Sequence, residues 1–225
     1  YDLANNYGPT YGTAEETFGR MMDLSFRPFR DEMFITTKAG YDMWPGPYGD
    51  WGSRKYLMSS LDQSLKRMHI DYVDLFYSHR FDPETPMEET LQALVDIVRQ
   101  GKALYVGISN WPKEAADFAY EYLSKRDVPC LCYQGKYNIL HQDPDTQGIL
   151  GAADEAGVGF VAFSPLQQGL LTDRYLNGIP ADSRMARREA LTPDALTPKT
   201  LQQIREILTK VVSEGLAKPA GSKEF

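Results

Sequence analysis

Residues 72–110 read YVDLFYSHRFDPETPMEETLQALVDIVRQGKALYVGISN, and this stretch decides the fold of the chain. Two apolar runs within it, Tyr72–Ser78 and Ala103–Ser109, are short and rich in aromatic and β-branched residues, which is typical of buried strands. Between the runs, apolar residues recur at the spacing of one helix face: Met87, Leu91, Leu94 and Val98. A strand, a helix and a second strand of these lengths predict a βαβ unit with parallel strands.

Local signals mark where two helices begin. Thr85 is predicted to be the N-cap of the helix in this unit, with Pro86 at its first position and Glu88 completing a capping box. Ser53 is predicted to cap the preceding helix, which follows a loop rich in Gly and Pro.

The same alternation continues on both sides of the unit. Further strands are predicted at Met33–Lys38, Pro129–Gln134 and Gly159–Ser164, with a short one at Tyr1–Ala4. A doubly wound open sheet and a barrel both alternate in this way. Polar residues lie at the carboxyl ends of nearly all the strands, and only a closed barrel brings all those ends to one face. The prediction is an α/β fold of the (β/α)8 TIM barrel type, incomplete, with about six of the eight strands and without the first and last.

Composition narrows the possible functions. The chain has 225 residues, a net charge of −7 and an apolar fraction of 42%, which argues against a nucleic-acid partner. No apolar run is long enough for a membrane span, so we expect no membrane partner. The two cysteines, Cys130 and Cys132, are expected to point to one face of a strand as small hydrophobic residues. Neither a disulfide framework nor metal-ligand spacing is present, and we expect a cytoplasmic protein without a metal.

Four polar residues at the strand ends form a possible proton-transfer set: Asp2, Tyr7, Lys38 and His79. Each alone has an ordinary structural explanation. Together, Tyr7 would donate a proton to a carbonyl oxygen, and the Lys38 ammonium would stabilise the phenolate that remains. Asp2 would hold Lys38 in place, and His79 would orient the carbonyl. The hydride that such a reduction needs must come from a cofactor.

The loop at residues 41–52 is rich in aromatic residues and would wall a substrate pocket or pack on neighbouring helices. Trp44 is the best candidate for a substrate contact in it. Arg80, directly after His79, would bind a substrate phosphate or form a structural ion pair, and the ion pair is slightly favoured.

The sequence resembles the aldo-keto reductases through an ordered series of motifs: DLANNYG at 2–8, ITTKAG at 35–40, SLKRMHIDYVDLFYSHR at 64–80, GKALYVGISNW at 101–111 and FSPLQQGLLT at 163–172. The resemblance implies that Tyr7 is the general acid, that Lys38 lowers its pKa, that Asp2 pairs with Lys38 and that His79 orients the substrate. It also implies a cofactor site for NADP(H): Ser109, Asn110 and Gln134 on the nicotinamide carboxamide, Phe163 stacked on the ring, and Ser164 and Leu166 near the pyrophosphate.

The implied activity is NADPH-dependent reduction of small aldehydes or ketones, such as L-glyceraldehyde 3-phosphate or methylglyoxal. The segment YDMWPGPYGDWGSRKYL at 41–57 resembles a bacterial branch of the family, which is related to channel β-subunits. The match runs to about residue 214, and residues 215–225 depart from it as a short tail. The sequence is therefore expected to be part of a longer enzyme or a shortened barrel. The alternatives to an active reductase are an inactive shortened barrel and a cofactor-binding regulatory subunit, and a homo-oligomer is possible.

Overall fold

The computed structural model describes residues 1–187 and 192–213. For Val211 and Val212 it describes the backbone only. It divides into two compact units. We call Tyr1–Tyr137 with Gln142–Phe163 the strand unit. We call Asn138–His141 with the described part of Ser164–Phe225 the loop unit. The tail predicted at residues 215–225 lies outside the described residues.

The strand unit is a regular alternation of strands and helices. Its elements are α1 (Thr13–Met21), β1 (Thr36–Ala39), α2 (Arg54–Met68), β2 (Val73–Ser78), α3 (Met87–Arg99), β3 (Ala103–Ser109), α4 (Lys113–Ser124), β4 (Cys130–Lys136), α5 (Asp143–Thr146), α6 (Ile149–Glu155) and β5 (Gly159–Phe163). The five strands form one parallel sheet in the order β1-β2-β3-β4-β5. This order confirms the barrel prediction over the doubly wound sheet, because a doubly wound sheet reverses its strand order at one point.

The short strand predicted at Tyr1–Ala4 forms only a single bridge. Asp2 pairs in parallel with Thr36 of β1. The start of the chain therefore lies along the edge of β1 that does not face β2. The side chain of Gln134 in β4 nevertheless donates a hydrogen bond of 3.2 Å to Asp2 Oδ2. In a flat sheet the bridge and β4 would lie about 19 Å apart, since neighbouring strands are spaced about 4.8 Å. The sheet therefore curls as the wall of an incomplete barrel.

Helices cover the outer face of the curled sheet and build the main core there. The apolar stripe of α2 is buried, with Leu57 and Leu61 fully so. Ser53 caps α2 as predicted, since its Oγ accepts a hydrogen bond of 3.2 Å from the Tyr56 N–H. The cap predicted for α3 is wrong: the helix begins at Met87, and Pro86 occupies the N-cap position without a side-chain cap. The Asp82 carboxylate instead accepts hydrogen bonds from the backbone N–H groups of Glu84 and Thr85. These bonds form the turn before α3, and the helix begins one residue later than predicted.

The prediction that Cys130 and Cys132 share one face is also wrong. The register of β3 against β4 shifts between Val106 and Gly107. Cys130 consequently packs into the core under the helices, whereas Cys132 clusters with Leu75 and Tyr77. In a regular strand, residues two apart face the same side of the sheet. The register shift interrupts this alternation, so Cys130 and Cys132 face opposite sides.

The loop unit holds no strand among its described residues. It consists of short turns and 3₁₀ segments followed by α7 (Pro198–Ser213), along which Leu201, Ile204 and Leu208 recur at helical spacing. Its small core contains Leu170, Tyr175, Met185 and Ile204. In the part of the chain that the structure describes, no helix has the length and apolarity that crossing a membrane requires.

Candidate active site

Lys38 and Asp2 form the centre of the predicted proton-transfer set. Lys38 is the third residue of β1, and its side chain is fully buried. Its Nζ lies 2.7 Å from Asp2 Oδ1 and donates a second hydrogen bond of 2.8 Å to the carbonyl oxygen of Leu3. Asp2 is half-exposed and also accepts hydrogen bonds from Thr36 and Gln134. The strand ends thus hold a buried cation against a carboxylate, as predicted from the sequence.

The protonation states of this pair follow from burial and from their mutual attraction. Burial lowers the pKa of Lys38, and the adjacent Asp2 carboxylate opposes that effect. Burial would raise the pKa of Asp2, but the charge and hydrogen bond of Lys38 and the hydrogen bonds from Thr36 and Gln134 bring it below its usual range. Asp2 is therefore ionised at neutral pH and supports the charged form of Lys38.

Tyr7 lies beside the buried cation and is the more accessible group. The Lys38 Nζ is 5.1 Å from the centroid of the Tyr7 ring, and Tyr7 is 37% exposed. Burial raises the pKa of the Tyr7 hydroxyl, and the charges of Asp2 and Tyr41 raise it further. The lowering of this pKa that the family resemblance implies is not seen in the structure, because burial, the largest cause, and the Asp2 carboxylate both raise it. Tyr7 therefore keeps its proton at neutral pH. The part of Lys38 in stabilising a phenolate during the reaction stays a prediction.

His79 follows β2 and closes the same side of the site. Its backbone N–H donates to Ala39 O at 2.9 Å, and its ring meets the Tyr7 ring edge-on with centroids 5.9 Å apart. The backbone at residue 40 passes close to His79, and only glycine allows this, because a Cβ at Gly40 would lie 2.9 Å from the Cβ of His79. Burial, Lys38 and Arg80 lower the pKa of His79 to about 3, so the ring is neutral at physiological pH. A neutral imidazole can hydrogen-bond a carbonyl oxygen but is a poor source of a full proton.

The residues expected to bind a carboxamide lie against this centre. Ser109 ends β3, and Asn110 follows it with a left-handed backbone, φ 56°. Asn110 Nδ2 donates to Ser109 Oγ at 3.0 Å and to His79 O at 3.3 Å. Gln134 touches Asp2, as described above. The structure thus brings Asn110 to His79, with Ser109 beside Asn110, and brings Gln134 to Asp2. The binding of a carboxamide by these three residues stays a prediction.

The remaining cofactor predictions divide between the two units. Phe163 is the last residue of β5 in the strand unit, paired with Lys136 and half-buried. Ser164 and Leu166 lie in the loop unit, where they line a cavity of about 610 Å³. Ser164 has a left-handed backbone, φ 53°, and its carbonyl accepts a hydrogen bond of 3.0 Å from Asn138 Nδ2.

Arginines that no sequence motif singles out line the same cavity of the loop unit. They are Arg174, Arg184 and Arg187. Arg174 pairs with Asp182 at 2.7 Å, and Arg184 donates to Gln168 Oε1 at 2.6 Å. Guanidinium groups around a cavity suit the phosphate oxygens of a dinucleotide. Their spacing along the chain follows no helix or strand period, so only the folded loops bring them together.

The substrate predictions have mixed outcomes. Trp44 packs with its ring 5.3 Å from that of Tyr56, on the loop that was expected to wall the site. Arg80 forms the ion pair that was slightly favoured, with its Nη2 at 2.5 Å from Asp50 Oδ1. A substrate contact of either residue remains a prediction.

Two further side chains at the centre have roles that the sequence analysis missed. Thr36 donates a hydrogen bond of 2.6 Å to Asp2 Oδ1, and it lies two residues before Lys38, on the same face of β1. Tyr77 is paired with Lys38 across the sheet, and Lys38 Nζ lies 5.4 Å from its ring centroid. Strand periodicity could have identified Thr36, whereas Tyr77 required the register between β1 and β2.

Parallel strands thus curl into the wall of an incomplete barrel, which carries a buried Lys–Asp pair, a tyrosine and a neutral histidine at one end. The aldo/keto reductase family model matches residues 1–220, and the chain belongs to that family.

Several curated proteins are similar to the chain. It is 56% identical over 209 residues to L-glyceraldehyde 3-phosphate reductase of Escherichia coli (strain K12), covering 91% of this chain and 60% of that protein. It is 36% identical over 200 residues to a probable voltage-gated potassium channel subunit beta of Oryza sativa subsp. japonica, covering 86% and 60%. Identity to aldo-keto reductase str7 of Strobilurus tenacellus is 34% over 167 residues, covering 73% and 46%. The chain thus spans about 60% of the length of the first two relatives.

Proposed function

We propose that the chain carries the proton-transfer half of an NADPH-dependent reductase of small aldehydes and ketones. The observation that carries the proposal is the contact of buried Lys38 with Asp2 beside the accessible Tyr7. The 56% identity to a protein named L-glyceraldehyde 3-phosphate reductase supports that substrate or a close analogue such as methylglyoxal.

The residues divide the reaction between them. Tyr7 holds its proton at neutral pH and is exposed enough to reach a carbonyl oxygen, so it is the acid. Lys38, fully buried behind it, stabilises the phenolate that forms, and Asp2 keeps Lys38 charged and in place. His79, neutral at this pH, hydrogen-bonds and orients the carbonyl. A bound nicotinamide would supply the hydride.

The residues present fit the chemical groups of such a cofactor. Ser109, Asn110 and Gln134 offer hydroxyl and amide groups, which suit a carboxamide. His79 Nδ1 is buried there and has no hydrogen-bond partner among the described residues, as expected for a site completed by a polar ligand. The arginine-lined cavity of the loop unit, taken by itself, suits phosphate groups. The use of NADPH rather than NADH stays a prediction. A cytoplasmic location and a homo-oligomer remain predictions.

A turnover assay with the full 225-residue chain tests the proposal. We expect glyceraldehyde 3-phosphate or methylglyoxal to oxidise NADPH, followed at the nicotinamide absorbance band, with one alcohol formed per NADPH consumed. Calorimetric titration of NADPH and NADH in parallel tests the cofactor preference. A folded chain that neither binds a nicotinamide nor turns over would contradict the proposal and favour an inactive barrel or a role other than catalysis.

A further inference from the structure

The loop at residues 41–52, which we call the aromatic loop, converges on one side chain outside the proton-transfer set. Arg80 Nε donates to Gly40 O at 2.5 Å, and its Nη2 meets Asp50. Its guanidinium carbon also lies 4.5 Å from the ring centroid of Tyr41 and 3.6 Å from that of Trp51. One cation therefore touches the beginning and the end of the aromatic loop at once.

Tyr41 connects this arrangement to the chemistry. Its ring meets the His79 ring edge-on, with centroids 4.7 Å apart, which is closer than the approach of Tyr7 to His79. Its carbonyl oxygen accepts a hydrogen bond from the Tyr56 hydroxyl. Tyr41 is thus held by its backbone on one side and by Arg80 on the other, with its ring against the group that orients the carbonyl.

The aromatic loop has few other ways to keep this shape, because it contains neither helix nor strand. It folds back on itself where Met43 N–H donates to Gly49 O at 2.9 Å. Gly49 is required there, since a Cβ would lie 1.8 Å from Trp44 O. Asp82 accepts the Gly52 N–H at 2.9 Å and fixes only the far end. Arg80 thus shares the first half of the aromatic loop with Tyr56 and the Met43–Gly49 hydrogen bond, and it is the contact that holds the Tyr41 ring from the side opposite the Tyr56 hydrogen bond.

We infer that Arg80 is a positioning residue, which holds Tyr41 against His79 and so sets the wall of the carbonyl site, rather than a ligand of substrate phosphate. The inference rests on the proposed function. The Arg80 guanidinium already contacts a carboxylate, a carbonyl oxygen and two rings, so little of it remains for a substrate anion. Lysine cannot reproduce this arrangement, because it lacks the planar group and the second donor nitrogen.

Kinetics with a matched substrate pair separate the two roles. Glyceraldehyde and glyceraldehyde 3-phosphate differ only in the phosphate. For Arg80→Met and Arg80→Lys we expect KM to rise about tenfold for both substrates, with kcat changed much less and NADPH affinity unchanged. Asp50→Asn should act in the same direction with a smaller effect. Arg126→Lys is the control, since Arg126, in the turn after α4, also lies over a ring, that of Tyr122 at 3.4 Å. Its side-chain hydrogen bonds go to Gln92 and to the Tyr122 carbonyl oxygen rather than to the aromatic loop.

A second readout does not need turnover. Amide hydrogen exchange in residues 41–52 should become faster in both Arg80 variants and in Asp50→Asn, and should be unchanged in Arg126→Lys. If the wild-type chain shows no turnover, the proposed function fails while this exchange experiment still tests the positioning role. A KM increase confined to the phosphorylated substrate would overturn the inference, as would unchanged exchange in the Arg80 variants.

Discussion

The strand unit and the loop unit place their polar groups by different means. In the strand unit, Lys38 and Gln134 lie in the carboxyl-terminal halves of hydrogen-bonded strands and His79 lies just beyond one. The curl of the sheet brings Gln134 and Lys38 to the same Asp2 carboxylate. In the loop unit, Arg174 and Arg184 lie on turns and 3₁₀ segments around a cavity. Proton transfer needs atoms fixed closely, and a sheet provides that rigidity. Charge attraction tolerates looser placement, which loops can provide.

This contrast predicts that substitutions in the strand unit change the rate of chemistry. The largest effect is expected for Tyr7→Phe, which removes the hydroxyl proposed to be the acid but little volume. We expect kcat to fall about 10³-fold while NADPH affinity changes less than about twofold. Tyr11→Phe, at a residue that is 54% exposed, is the control. If Tyr7→Phe retains the wild-type rate, another group is the acid and the strand unit lacks the role assigned to it.

A smaller effect is expected for Asp2→Asn. Burial lowers the pKa of Lys38, and Asp2 opposes this, so removal of the carboxylate should lower that pKa further. The alkaline limb of the rate profile should then move to lower pH, and kcat at neutral pH should fall on the order of tenfold. Asp62→Asn provides a matched control, because Asp62 pairs with Lys102 at 2.7 Å on the surface. An unshifted alkaline limb would show that Asp2 does not govern Lys38.

In the loop unit, Arg174→Gln and Arg184→Gln should weaken binding rather than chemistry. We expect the Kd for NADPH to rise about tenfold for each, with kcat at saturating cofactor nearly unchanged and the difference reduced by salt. Arg205→Gln is the control, since Arg205 donates to Leu176 O at 2.9 Å and does not line the cavity. A fall in kcat with unchanged Kd would break the contrast between the units.

The smallest effect concerns stability. Folding lowers the pKa of His79 from 6.5 to about 3, so the unfolded chain binds a proton that the folded chain does not. This contribution to stability is complete above the unfolded pKa and is lost as the pH falls from about 6.5 toward 3. Between pH 7 and 5.5 the loss should be about 1 kcal/mol.

Urea unfolding at several pH values tests this, with His79→Asn as the comparison. Tryptophan fluorescence reports on the strand unit alone, because Trp44, Trp51 and Trp111 all lie there. The variant should lose this part of the pH dependence. If the free energy of unfolding changes equally with pH in both proteins, folding does not lower the pKa of His79.

Prediction from sequence was strongest where one residue pattern reports directly on local structure. The five strands of the sheet were all identified, although β1 begins at Thr36 rather than at Met33. The cap at Thr85 and the shared face of Cys130 and Cys132 were wrong. The first was decided by a local competitor, the Asp82 side chain, which accepts the N–H groups two and three residues further on. The second was decided by a register shift between β3 and β4, which local sequence does not encode.

The sequence by itself determined the alternation of strands and helices, the parallel direction of the sheet and the identities of Asp2, Tyr7, Lys38 and His79, because hydrophobic periodicity and strand-end position are local properties. Only the tertiary structure decided that Gln134 reaches Asp2, that Tyr77 lies beside Lys38, and that Arg80 is paired with Asp50 between two rings. Those outcomes depend on sheet curl, register and loop path. Contacts between residues far apart in the chain fix these, and no short pattern encodes them.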